Sequence, residues 1–273
     1  MNAAKVPLKR EGAEQVSYYK YYLEEVSPLS VEEKNMIASA KGAKGEGLEP
    51  EDRAKIQSGQ TYPSKPGYYR LKKGGLLVHS VVPIPHLTSE MMEWWAPWHS
   101  MDPLRYAIWD PEDHYDHKLD EEGWKRALDP DIPPLEKLWG ATHTLLESFD
   151  RDEPQQLSMT FQNPFECGYS REVYGTADCR YILCASSVMN GKIPVFVTEI
   201  FREIKGIMHV QLYFWIGYAL ENGEVRCRIP RFIKIPEQIA QKLMTHNYKE
   251  YHHLDKILPR VYAEEKDNWA DPR

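Results

Sequence analysis

The sequence predicts an α+β protein in which one long C-terminal helix lies against a curved antiparallel sheet. Two observations lead to this prediction. The second half of the 273-residue chain is rich in strand patterns, and two Asn-Gly dipeptides, at 190–191 and 222–223, separate some of them. Asn-Gly is a strong hairpin signal, and such short connections join antiparallel strands. Pro236 and Pro259 then bracket one long helical segment, because proline suits a first helical turn and ends a helix elsewhere.

The chain is expected to divide into an N-terminal helical appendage, residues 1–65, and a main domain, residues 66–273. The main domain opens with extended apolar chain from Pro66 to Pro85, and a short helix follows from Thr88 to Trp98. The predicted strands are 156–163, 171–175, 180–188, 194–204, 207–220 and 225–233. If the sheet curls around the long helix without filling the gap, a cavity remains between them.

Composition narrows the possible functions. The chain has 34 Lys and Arg against 41 Asp and Glu, a net charge of -7, so nucleic acid is not an expected partner. The amino terminus lacks an apolar stretch, and the four cysteines lack metal-site spacing, so we expect a cytoplasmic protein with free thiols and no membrane partner. The 8 Trp and 17 Tyr far outnumber the 7 Phe, which suits the wall of a wet cavity.

Two polar residues interrupt the apolar stripe of the predicted long helix. His246 and Glu250 occupy positions that should face the core, and their spacing of four places them on one face. The apolar members of the stripe are Ile239, Leu243, Leu254 and Ile257. Imidazole and carboxylate are recurrent ligands of divalent metals. From the helix alone, we favour a buried hydrogen-bonded pair or a helix rotated toward water over a metal site.

Other segments carry further candidates. The segment 109–117 contains Asp110, His114 and His117, and it reads either as a source of metal ligands or, on its own, as a solvated acidic loop. Glu147 is a third metal candidate. In the strand 207–220, a polar and aromatic face alternates with an apolar core face, and it either meets solvent or lines a cavity for a phenolic ligand. Its members are His209, Gln211, Tyr213 and Trp215.

Several motifs in order along the chain resemble the 2,4-diacetylphloroglucinol hydrolase family, which also contains phloretin hydrolase. The segment 91–99, Met-Met-Glu-Trp-Trp-Ala-Pro-Trp-His, is followed at 105–114 by Arg-Tyr-Ala-Ile-Trp-Asp-Pro-Glu-Asp-His. A Gly-x-Thr-His segment leading to a Glu, a Phe-Trp-Ile-Gly strand end and a terminal His-x-x-x-Glu helix come after them. The resemblance covers about residues 65 to 262.

The resemblance implies a helix-grip fold, like that of plant pathogenesis-related (Bet v 1) and lipid-transfer (START) domains, with zinc inside its cavity. Carried over residue by residue, the zinc ligands are His114, Glu147, His246 and Glu250. Two of these are the polar residues that interrupt the helix stripe, so the resemblance favours the metal interpretation. Asp110 stands where the family more usually has a second histidine.

The resemblance also implies a reaction, the hydrolytic cleavage of a carbon-carbon bond between an acyl group and a phloroglucinol ring by zinc-activated water. In our hypothesis Tyr106 and His117 bind ring hydroxyls, while His209 or Tyr213 stabilises the oxyanion or passes a proton. Glu147 is an additional candidate for the catalytic base. The substrate class is a polyphenol such as phloretin or an acetylphloroglucinol.

A second hypothesis from a different class is a non-enzymatic carrier whose cavity binds a phenolic or apolar ligand. In that case the polar helix residues would only orient the ligand, and the purified protein would contain no zinc. The family resemblance also suggests a homodimer, with the tyrosine-rich N-terminal segment as its interface.

Overall fold

The computed structural model describes residues 4–230 and 232–269 and confirms the α+β class. Eight strands form one antiparallel sheet: β1 (Gly67–Arg70), β2 (Leu76–Pro83), β3 (His114–Leu119), β4 (Thr142–Glu147), β5 (Gln155–Gln162), β6 (Tyr181–Met189), β7 (Ile193–Ile204) and β8 (Ile207–Ile216). Their order is β1-β2-β8-β7-β6-β5-β4-β3. A separate hairpin consists of β9 (Tyr218–Glu221) and β10 (Glu224–Cys227).

The described α-helices are α1 (Tyr19–Tyr22), α2 (Val31–Ala38), α3 (Ser89–His99), α4 (Pro103–Ala107), α5 (Glu121–Leu128) and α6 (Glu237–Glu265). Short 3-10 helices lie at Ala13–Gln15, Pro50–Gln57 and Pro134–Leu138. The long helix α6 packs against β2 and α3. None of the helices in residues 4–230 and 232–269 combines the length and apolar character needed to cross a membrane.

Both Asn-Gly dipeptides form the predicted hairpin turns. Asn190 and Gly191 have φ angles of 49° and 63° between β6 and β7, and Asn222 and Gly223 have φ angles of 51° and 79° between β9 and β10. Asparagine and glycine adopt this left-handed region at lower cost than other residues, which explains their use here. The predicted strand 207–220 is divided at Gly217, whose φ is 93°.

Three element predictions are wrong. Residues 171–175 form turns, and the last predicted strand ends at Cys227 because Pro230 follows soon after it. Helix α6 continues through Pro259 to Glu265. Proline costs one backbone hydrogen bond, but the Nε1 atoms of Trp94 and Trp98 donate to the carbonyls of Lys266 and Asn268, at 3.2 and 3.0 Å, and hold this end against α3. Tertiary packing therefore overrides the local stop signal. 

The two faces of the sheet belong to different hydrophobic clusters. The inner face packs with α3 and α6, whereas the outer face packs with Leu48 and Ile56 from the N-terminal segment. Trp215 on the outer face donates from Nε1 to the carbonyl of Leu48 at 3.0 Å. Part of the predicted appendage thus covers the sheet, and the domain division at residue 65 stays a prediction.

Candidate active site

A cavity lies between the inner face of the sheet and helices α3 and α6. It contains about 1010 Å³ of empty space, part of it open to solvent. Its lining is mainly apolar and aromatic, and includes Trp95, Leu157, Met159, Phe161, Val197 and Phe214. A few polar side chains interrupt this lining, as is usual for small-molecule sites.

One group of buried side chains at the cavity has the composition of a metal site. Asp110, His114 and His246 each offer one ligand atom, and these atoms lie within 4.8 Å of one another. His114 donates from Nδ1 to the backbone carbonyl of Tyr106 at 3.1 Å, so Nε2 is the unprotonated nitrogen. His114 Nε2 is buried without a hydrogen-bond partner. An orphaned lone pair of this kind fits a metal ligand.

The two glutamates predicted as ligands lie beside the same histidine. His114 Nε2 is 3.5 Å from Glu250 Oε2 and 3.9 Å from Glu147 Oε2. His246 Nε2 is 3.6 Å from Glu250 Oε2. Ligand atoms that share a tetrahedral zinc ion lie about 3.3 Å apart, given bond lengths of about 2.0 Å. His114 and His246 each lie near that distance from Glu250, while Glu147 lies further from His114.

Secondary structure explains this convergence. His114, the first residue of β3, pairs directly with Glu147, the last residue of β4. A register shift between His114 and Asp116 turns the strand at this point. Helix α6 presents His246 and Glu250 one turn apart. The interpretation of 109–117 as a solvated loop is wrong, because Asp110 and His114 are buried and β3 begins within it.

Electrostatics indicate a shortage of positive charge at the group. Burial raises the pKa of Glu147 and that of Glu250, and it lowers the pKa of His114. Burial also opposes a charged His246, but the negative charges of nearby carboxylates, first of all Glu250, raise its pKa to about 9. The raised pKa values of Glu147, Glu250 and His246 reflect several carboxylates buried close together. A divalent ion would supply that charge.

Sequence reasoning missed Lys249, which lies one residue before Glu250. Its Nζ atom is 3.0 Å from Asp110 Oδ2 and also donates to Asp113. Asp113 further accepts from the backbone of Arg151 at 2.9 Å. Lys249 therefore neutralises the acidic turn before β3. The signal in the sequence was the spacing: Lys249 follows His246 by three residues and so lies one turn from it on α6.

The two predicted substrate-binding residues both line the cavity. Tyr106 donates its hydroxyl to Glu147, and its ring stacks on His114 with centroids 4.0 Å apart. His117 Nε2 lies 3.0 Å from His143 Nδ1. His143 and His99 also line the cavity, and burial lowers their pKa values to about 3 and 4, so both imidazoles are neutral. These two histidines stand within the family motifs but were not singled out.

The prediction that His209 and Tyr213 act in the cavity is contradicted by their position. Both lie on the outer face of β8, while Phe214 and Ile216 on the inner face line the cavity. Tyr213 stacks on His79 with centroids 4.4 Å apart, under the N-terminal segment. The polar face of β8 was expected to line the cavity, but its apolar face does so.

The structure also adds three polar residues to the cavity wall. Glu199 comes from β7, and Asn247 and Tyr251 come from α6. Glu199 accepts a hydrogen bond from the Tyr251 hydroxyl. The signal in the sequence was a glutamate in the middle of the strand 194–204, next to apolar residues, which alternation alone does not orient.

Comparisons with known proteins agree with the motifs. The family model of the DAPG hydrolase PhiG domain matches residues 48–263. The chain is 33% identical over 262 residues to phloretin hydrolase of Eubacterium ramulus, covering 95% of this chain and 94% of that protein. It is 26% identical to a 2,4-diacetylphloroglucinol hydrolase of Pseudomonas sp, covering 90% and 87%.

The similarity to a solved structure is weaker. DynU16, a putative protein in the dynemicin biosynthetic locus, covers 69% of this chain and 47% of its own, with 12% identity and a TM-score of 0.34. That overlap is too low for a comparison of folds. The family model and the phloretin hydrolase match establish that the chain belongs to the DAPG hydrolase family.

Proposed function

We propose that the protein is a metal-dependent hydrolase that cleaves the carbon-carbon bond between an acyl group and a phloroglucinol-type ring. The observation that carries the proposal is the unpartnered Nε2 of His114, which faces the carboxylates of Glu147 and Glu250 at the wall of an apolar cavity. Family membership adds the reaction class, because the matched relatives are named for hydrolysis of phloretin and 2,4-diacetylphloroglucinol.

The proposed metal is zinc, held by His114, Glu147, His246 and Glu250. Imidazole nitrogens and carboxylate oxygens are both ligands of zinc in proteins. Asp110 is proposed as a supporting residue, since its carboxylate lies 3.9 Å from His246 Nδ1 and is shared with Lys249. When bound, zinc supplies an activated water of pKa about 7 and polarises a carbonyl oxygen.

The chain's own residues supply binding and orientation. Tyr106 donates to Glu147 and stacks on His114, so it fixes both side chains and has its hydroxyl beside the proposed reaction centre. His117 and His143 are neutral and hydrogen-bonded to each other, and they provide uncharged partners for ring hydroxyls. The apolar lining accepts the faces of the rings and limits bulk water.

Two finer expectations accompany this proposal. The long helix across the inner face of an eight-stranded sheet supports a helix-grip arrangement, which we propose as the fold family. A homodimer and a cytoplasmic location stay predictions from the sequence and the family resemblance.

Incubation of the purified protein with phloretin, monoacetylphloroglucinol and diacetylphloroglucinol tests the function. We expect release of a carboxylic acid together with a ring product that carries hydrogen at the cleaved position, measured by chromatography and mass spectrometry. All substrates recovered intact, with ligand bound and no metal in the protein, would refute the hydrolase and favour a carrier.

A further inference from the structure

One carboxyl group on the cavity wall is not among the proposed metal ligands. Glu199 lies in the middle of β7, where it pairs with Leu183 on β6 and Leu212 on β8. Its Oε2 accepts from the Tyr251 hydroxyl, one residue after Glu250 on α6. No lysine, arginine or histidine of the described residues forms an ion pair with it. Glu199 is therefore a carboxyl group without a compensating cation.

Such surroundings favour the neutral acid. Burial raises the pKa of Glu199 to about 7, although the hydrogen bond from Tyr251 opposes the shift. A substantial share of Glu199 is therefore protonated near neutral pH. A glutamic acid of this kind is matched to general acid catalysis at neutral pH, because it donates a proton readily and recovers it from water.

A neighbouring side chain on α6, at the cavity wall, has a polar atom without a hydrogen-bond partner. Asn247 donates from Nδ2 to Ser80 at 3.1 Å, while its Oδ1 is buried without a hydrogen-bond partner and the residue lines the cavity. A buried acceptor of this kind is stabilised by a hydroxyl donor. A phenolic hydroxyl bound there would place the ring on the same side of the cavity as Tyr251 and Glu199.

The proposed reaction needs a proton on carbon. A bond forms between the oxygen of water and the acyl carbon, and the bond from the acyl carbon to the ring carbon breaks. The electron pair goes to the ring carbon, which must take up one proton to give the free ring. The attacking water releases one proton as the acyl group becomes a carboxylic acid, so the exchange of protons balances.

We infer that Glu199 is the acid that protonates the ring carbon, with Tyr251 as the residue that positions its carboxyl group. This inference rests on the proposed function. Glu199 gives its proton to the ring carbon as the carbon-carbon bond breaks, and the carboxylate recovers a proton that originates from the attacking water. Glu199 would then act on the ring carbon, whereas the attacking water forms its bond with the acyl carbon.

The test is Glu199→Gln, which keeps the size of the side chain and an acceptor for Tyr251 but removes the acidic proton. We expect kcat to fall about 100-fold or more, the usual contribution of a general acid, with KM within about threefold of the wild type. Metal content should not change. Glu199→Asp restores the acid on a shorter chain and should recover part of the lost kcat.

Glu203→Gln is the matched control, because Glu203 lies four residues further along β7 and pairs with Arg180 at 2.7 Å, away from the cavity lining. It should keep the wild-type kcat. If Glu199→Gln does not fold, Tyr251→Phe decides the matter, with an expected loss of about tenfold in kcat at unchanged KM.

Two results would overturn the inference. One is a folded Glu199→Gln variant with kcat within about threefold of the wild type, and the other is a loss that lies entirely in KM. A wild-type protein that cleaves no acylphloroglucinol would instead overturn the proposed function. The two failures are therefore distinguishable in the same set of assays.

Discussion

The inner and outer faces of the sheet both carry histidines and tyrosines, but the surroundings of these side chains differ between the two faces. On the outer face, Tyr213 stacks on His79 and donates to Gln211 at 2.8 Å beneath residues of the N-terminal segment. On the inner face, His114 and Glu147 lie 3.9 Å apart beside an incompletely filled cavity. Packed polar groups on one face stabilise the fold, whereas converging ones on the other can bind an ion and a substrate.

The largest expected effect distinguishes a histidine at the cavity from a histidine on the outer face of the sheet. His246→Ala should lose bound metal and reduce kcat/KM at least 1000-fold, roughly 4 kcal/mol of transition-state stabilisation, because a proposed ligand is removed. His209→Ala on the outer face should keep metal content and kcat/KM within about twofold. Metal analysis and substrate turnover on both variants check this, and a zinc-loaded, fully active His246→Ala would contradict it.

Adjacent aromatic residues of β8 offer the next test. Trp215 is fully buried on the outer face, so Trp215→Ala should lower the free energy of unfolding by about 3–5 kcal/mol. Phe214 lines the cavity, so Phe214→Ala should cost less stability and raise KM instead. Denaturant unfolding and steady-state kinetics distinguish the two patterns. Equal losses of stability would indicate that the cavity is filled like an ordinary core.

A smaller effect is expected when single hydroxyl groups are removed. Tyr106→Phe should lower kcat about 10- to 100-fold, because Glu147 loses its donor and the hydroxyl leaves the proposed reaction centre. Tyr213→Phe should leave kcat unchanged and cost about 1 kcal/mol of stability, the usual net value of one hydrogen bond. The same kinetic and unfolding measurements apply. A Tyr106→Phe variant with wild-type kcat would remove Tyr106 from the mechanism.

The smallest expected effect concerns the neutral histidine pair. His143→Gln keeps a hydrogen-bonding side chain next to His117, so KM should rise only a few-fold while kcat stays within about twofold. A large loss of kcat would show instead that this pair transfers protons. Steady-state kinetics with the best substrate measures both constants.

Elements with strong local signals could be predicted from the sequence. The Asn-Gly turns, most of the strands from β5 to β8 and the long helix follow from turn chemistry and periodicity. Strands β3 and β4 were missed because they carry His114, His117, His143 and Glu147, and these polar residues remove the apolar alternation of an ordinary strand. The polar residues that build the site therefore obscure the strand pattern in the sequence.

Site residues on α6 could be predicted because a polar residue within an apolar stripe is conspicuous. His246 and Glu250 are both buried, as the stripe required. The faces of β8 could not be assigned, because alternation shows that two faces differ but does not show which one is covered by other parts of the chain. Glu199 and Asn247 were missed for the same reason. Their importance depends on partners that are distant in the sequence.

The most direct test of the central claim is removal and return of the metal in the wild-type protein. After a chelator has stripped the protein and metal analysis has verified the loss, we predict that release of the phloroglucinol product stops and that added zinc restores it. The carbon-carbon bond cleavage would then depend on the ion held at the inner face of the sheet. A verified metal-free protein that still cleaves its substrate at the full rate would contradict the account.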